Sequence, residues 1–302
     1  MVVVTKESAD VAMTYEGTLP SLAPLTVRAA LQRRASPVEA QERPELIAAA
    51  QGVVVDPWEV QRYREVCGIG QSPVLPAPYP QVLATPLHGA ILADSRFPLP
   101  VVGLVHLQNR VEQRRALEVG ATLDMMCTVG EWTWDPYRGR RFSLITQVRS
   151  DGQLCWESEL WALCRAKASE LEPKPPREPR PPKGPGEPRR VVSALIEVPG
   201  DLGRRYAAVC GDYNPIHLHA LTAKPFGFKQ PIIHGMWTLA RCWAPLADLV
   251  EPSGLTLEVR FRRPIYMPSK ILLGIKEAEE GYEFVCEDPR NRREFLDGFV
   301  RI

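Results

Sequence analysis

At 302 residues, with 45% hydrophobic and 24% charged side chains, the chain holds enough apolar material for two cores and is not a disordered protein. Thirty-seven basic residues against 36 acidic ones leave a net charge of +1, which excludes the basic excess of a sequence-independent nucleic-acid binder. The most apolar stretch, residues 231–250, is interrupted by His234, Arg241, Pro245 and Asp248, so no membrane span is expected.

The opening MVVVTKESAD lacks the basic-then-apolar build of a secretory leader, and a cytoplasmic location is expected. The 7 cysteines are odd in number and never spaced CxxC, so they read as small buried side chains. Residues 1–45 form an extension in which 19–34 reads as an outer helix. Next comes RYREVCG at 62–68, then TPLHGAILA at 85–93, with strands expected near 101–110, 122–134, 141–149 and 153–163. Residues 168–190 alternate proline with charge and read as a semi-rigid linker.

Beyond the linker the pattern returns. RYAAVCG at 205–211 matches RYREVCG at five of seven positions, and QPIIHGMWTLA at 230–240 echoes the segment around His88 and Gly89. Two echoes in register argue for a duplicated unit. In this half strands are expected at 191–198, 255–267, 270–276, 282–287 and 294–302, with helices at 201–210, 215–223 and 235–250. The last is apolar almost all round and must be wrapped. A buried helix wrapped by an antiparallel sheet is a hot dog. The expected fold is therefore α+β, a double hot dog: two tandem antiparallel sheets, each around a central apolar helix, packed as a pseudo-dimer. The expected units are 1–45, a degenerate first hot dog at 46–167, the linker, and a catalytic hot dog at 191–302.

The chemistry concentrates in GDYNPIH, residues 211–217. Asn214 followed by Pro215 is a helix-start pair, which sends Asp212 and His217 to the same helix end. A carboxylate and an imidazole so placed can orient and deprotonate one water. His234-Gly235 opens the apolar helix, where free N–H groups and the helix dipole favour an anion and glycine permits close approach. A water activator plus an oxyanion donor suffices to add or remove water across a double bond conjugated to a carbonyl, with no cofactor and no metal. His219 points away from His217 on a helix and is read as solvent-facing or supporting. Trp132, Trp134, Trp156 and Trp161 are read as packing residues.

The segment 206–223 resembles the signature of the MaoC-like (R)-specific enoyl-CoA hydratases and 3-hydroxyacyl-thioester dehydratases, with the HG step at His234-Gly235 and an FRxP strand at 261–264. The resemblance implies a catalytic Asp212 and His217, a supporting Asn214, and the Gly235 N–H as thioester-oxygen donor. His234, Arg262 and Arg263 are the candidates for substrate contact. It implies an acyl-CoA or acyl-carrier thioester as the partner and the substrate; a homodimer is one assembly the reading allows. In the first half the dyad and asparagine positions hold Ile69, Gln71 and Val74, so one site per chain is expected. The alternatives are a hot dog thioesterase and a non-catalytic acyl-CoA-binding subunit.

Overall fold

A computed structural model of the chain describes residues 12–173 and 190–302. Most of the expected linker, 174–189, lies outside them. Its start, Ala168–Glu170, is a 3-10 turn, and the Glu172 N–H donates to the Pro136 carbonyl at 2.8 Å.

The first half runs β1 (Ala12–Glu16), α1 (Leu22–Leu31), β2 (Ile47–Val54), α2 (Pro57–Cys67), α3 (Tyr79–Leu83), α4 (Thr85–Ala93), β3 (Val105–Gln113), β4 (Thr122–Asp135), β5 (Gly139–Ser150) and β6 (Gln153–Arg165). The second runs β7 (Arg190–Val198), α5 (Leu202–Cys210), α6 (Ala220–Ala223), α7 (Gly235–Trp243), β8 (Leu255–Phe261), β9 (Ser269–Ala278), β10 (Gly281–Glu287) and β11 (Glu294–Arg301).

The strands form one sheet in the order β1-β2-β4-β5-β6-β3-β8-β11-β10-β9-β7. Read inward from each edge, leaving out β1, the halves have the same order. This is the expected duplication, refined in one respect: the two sheets fuse into one. The seam is the antiparallel β3–β8 pair, with Asn109 opposite Val259 and Val111 opposite Leu257. Leu255, Leu257 and Val259 are buried while Arg260 is exposed, so the pleat sends alternate residues to the helix face. On that face α4 packs against β2 and β4, and α7 against β10.

The repeated RYxxVCG blocks build α2 and α5, which pack together, with the matched Tyr63 and Tyr206 rings 6.3 Å apart. Both helices end on a glycine in the left-handed conformation, Gly68 at φ 63° and Gly211 at φ 74°, which turns the chain sharply after the helix.

Several expectations are corrected. The helix at 235–250 stops as regular helix at Trp243, because Pro245 supplies no N–H and crowds the preceding turn. The helix expected at 215–223 is a 3-10 turn, Pro215–His217, followed by the separate α6; His219 breaks it by adopting extended backbone and accepting from the Leu221 N–H. The strand near 101–110 begins only at Val105, and the strand expected to reach 267 ends at Phe261. β1, parallel to β2, was not expected, nor was β2 itself. The outer helix is α1, which packs on α4.

Candidate active site

Between α5 and α6 the chain turns around Asp212. The Asp212 carboxylate accepts from the Asn214 N–H at 3.1 Å, and the Asn214 side chain in turn accepts from the Ile216 N–H at 3.3 Å, capping the Pro215–His217 turn. These two caps face Asp212 Oδ2 toward His217 Nε2 at 3.9 Å. That separation is too long for a direct hydrogen bond and leaves room for an oxygen bonded to both. His217 is buried, whereas the Asp212 side chain is 40% exposed, so the pair is reached from the Asp212 side.

The orientation of His217 is fixed. Its Nδ1 lies 2.7 Å from the Ile232 carbonyl, which can only accept, so Nδ1 carries the proton and Nε2 presents a lone pair toward Asp212. Burial pushes the imidazole below its ordinary value, against the opposing pull of the Asp212 charge and the Ile232 carbonyl. Neutral His217 is therefore the form at neutral pH.

His234 was expected to contact substrate; the structure gives it another place. Its Nε2 donates to the Asp212 backbone carbonyl at 3.0 Å, and its ring stacks on His217 with centroids 3.6 Å apart and planes 26° apart. Tyr206 lies against it at 5.0 Å. Burial and the neighbouring His217 hold His234 well below its ordinary pKa. His234 thus clamps both partners of the pair. Asp212, His217 and His234 offer ligand atoms within 4.8 Å of one another. A cation there would have to displace the His234 proton from the Asp212 carbonyl, so the donor set favours the hydrogen-bonded arrangement.

His234 also caps α7, so Gly235 is the first helical residue beside the stacked imidazoles. Its N–H belongs to the helix turn that lacks intrahelical acceptors. A Cβ on Gly235 would lie 2.9 Å from Phe261 Cε1, so only glycine fits without moving that ring.

The arginines are corrected. Arg262 is bound to the Asp297 carboxylate, shared with Arg260, and Arg263 donates to the Glu294 carbonyl at 2.8 Å. Both are committed to protein partners rather than brought to the dyad. Cys210, two residues from Asp212, has its thiol pushed up to about 12 by burial and is no nucleophile at neutral pH.

The first half has lost more than its dyad. Ile69 is buried, Gln71 binds Gln61 at 2.7 Å, and Val74 bridges to Glu118. Helix α4 also starts three residues ahead of His88, whose N–H is taken by the Ala84 carbonyl at 3.2 Å. The HG step there lies inside a helix instead of at its mouth. The His88 side chain is absorbed in a buried chain, Ser158–Gln81–His88–Thr146, and Leu22 of α1 packs on Gly89.

Residues 185–281 match the MaoC like domain family. The chain is 29% identical over 250 residues to 3-hydroxyacyl-thioester dehydratase X of Mycobacterium tuberculosis, covering 82% of this chain and 86% of that protein. The crystal structure of HtdX from the same organism superposes with a TM-score of 0.72 at 25% identity, over 84% of this chain and 99% of that one. A MaoC-like dehydratase from Phytophthora capsici shares the fold, with a TM-score of 0.66 at 18% identity over 89% of this chain and 99% of that one.

Proposed function

We propose, from the match of residues 185–281 to the MaoC like domain family and the double hot dog fold, a hydro-lyase that reversibly hydrates trans-2-enoyl thioesters to (R)-3-hydroxyacyl thioesters. The observation that carries the reading is the 3.9 Å gap between Asp212 Oδ2 and the unprotonated His217 Nε2, beside the first turn of α7. The name of the mycobacterial relative, a 3-hydroxyacyl-thioester dehydratase, supports the same chemistry.

In the hydration direction a water held by Asp212 and His217 attacks Cβ of the enoyl thioester, and its proton passes to the Asp212–His217 pair. The electron pair displaced from the double bond reaches the thioester oxygen as an enolate, which the Gly235 N–H stabilises at the positive end of α7. The pair then returns a proton to Cα. Asn214 keeps the turn in shape, and His234 holds the pair in register. Dehydration is the same path reversed. The chemistry asks for no cofactor beyond the CoA or carrier arm of the substrate. We place the enzyme in the cytoplasm on its seven unpaired cysteines, six of them buried, which suit a reducing compartment.

The test is an ultraviolet assay of enoyl-CoA hydration with thiol release followed in parallel. Loss of the conjugated double bond without free CoA is expected. CoA release without hydration would make the protein a thioesterase, and binding without either would make it a carrier subunit.

A further inference from the structure

On the helix face of the sheet, strand β3 at the seam carries two side chains with buried polar atoms that lack a hydrogen-bond partner. Asn109 is 2% exposed, and its Oδ1 is buried with no hydrogen-bond partner; its Nδ2 has only the Met236 sulfur at 4.0 Å. His106 likewise has a buried Nε2 with no partner. The pleat alone would send residues 106 and 109 to opposite faces. A register shift between β3 and β6, at His106/Gln108, inserts an extra residue and returns His106 to the helix face with Asn109.

Both side chains converge on the residues that open α7. Asn109 touches Met236, the neighbour of Gly235. The His106 ring lies 4.6 Å from Phe261, the ring that packs on Gly235. A buried polar atom without a partner is costly, because it has given up water and gained nothing in exchange. The comparable polar chain through His88 in the first half is closed at every link from Ser158 to Thr146. The open pair lies instead on β3, the first-half strand paired with β8, whose Phe261 packs on Gly235.

We propose that Asn109 and His106 form a polar subsite for the acyl chain, selecting thioesters whose chain carries a hydroxyl group beyond the reacting double bond. This rests on the enoyl-thioester reading of Asp212 and His217. Asn109 Oδ1 can only accept. His106 Nε2 is the second orphan atom, able to accept from a hydroxyl in one ring tautomer and to donate to it in the other. A hydroxyl, which donates one hydrogen bond and accepts others, can pair with both side chains; a plain alkyl chain pairs with neither. A site built to pair with a hydroxyl discriminates strongly against the analogue lacking it.

The experiment compares kcat/KM for 2-enoyl-CoAs of six to twelve carbons, plain and with a hydroxyl at successive positions, in the native protein, Asn109→Leu and His106→Phe. Each comparison is a ratio within one protein sample, so partial misfolding of a variant cancels. The native enzyme is expected to favour one hydroxyl position by about tenfold or more over the plain chain of equal length, and each variant to abolish or invert that ratio. A native ratio near one at every position, or variants that keep the native preference, overturns the subsite while leaving hydration intact. If the native protein hydrates no enoyl-CoA at all, the hydro-lyase reading itself has failed.

Discussion

His217 and His234 are stacked imidazoles with different tasks, set by what each nitrogen touches. His217 donates its Nδ1 proton to a carbonyl and leaves a lone pair facing Asp212; His234 donates its Nε2 proton to the backbone of Asp212. His234→Phe preserves a ring against His217 but deletes the donor, and kcat is expected to fall by up to about 100-fold as Asp212 drifts. His234→Gln, which restores an N–H, is expected to recover part of it; equal loss in both variants would make the ring alone responsible. Because burial lowers the His217 pKa, the imidazole is neutral at pH 7 and gains a proton only below its ordinary value of about 6.5. Protonation removes the lone pair and draws Asp212 into a closed ion pair. The acid limb of the kcat/KM profile is therefore expected below pH 6.5 and belongs to the coupled pair; an acid limb centred above pH 7 would contradict it.

At the scale of elements, the site was legible where its parts are close in sequence. Asp212, Asn214 and His217 lie within six residues, so cap chemistry alone orders them. The clamp by His234 was not legible, because it reaches a backbone carbonyl 22 residues away. His106 was hidden for another reason: a single bulge reverses which face its side chain takes. Strand β2 escaped notice because IAAAQGVV carries small residues rather than a strong alternation, and it is held as a strand by β1 and β4 on its two sides. Helix α7 is the element on which most depends. Its side chains cross to the first half, Trp237 donating to the Val66 carbonyl at 3.0 Å and Arg241 to the Cys67 carbonyl at 2.8 Å, at the negative end of α2. Arg241→Met is expected to cost about 1–2 kcal/mol of stability, read by denaturant unfolding, since it leaves the Cys67 and Gly68 carbonyls short of a charged donor. No change in the unfolding midpoint would show that the contact is only a surface one.

For the whole molecule, the duplication divides the work. The second half keeps the dyad and the open helix mouth, while the first buries its HG step inside α4 and completes the sheet at the seam. Fold class, repeat and wrapped helices could be read from the two echoes. Fusion into one sheet could not, because it depends on edge pairing between β3 and β8. Four of the five histidines are held below their ordinary pKa, His88 and His106 at about 4, with burial the largest cause in each. Their folded-state values lie below the unfolded value, so the stability they carry is full above about pH 6.5 and declines as pH falls, the His88 and His106 share being lost by about pH 4. The melting temperature is expected to drop by about 5 °C or more between pH 7.5 and 4.5. A flat profile across that window would mean that these rings are not buried neutral.

Asp212→Asn and His217→Gln alter proton chemistry with little change of shape, so hydration of a 2-enoyl-CoA by these two variants is the most direct measurement. With folding verified by circular dichroism and melting temperature, each is expected to lose about 100-fold or more in kcat. Folded variants that both retain turnover within about threefold of the native enzyme would show that this carboxylate and imidazole do not handle the water.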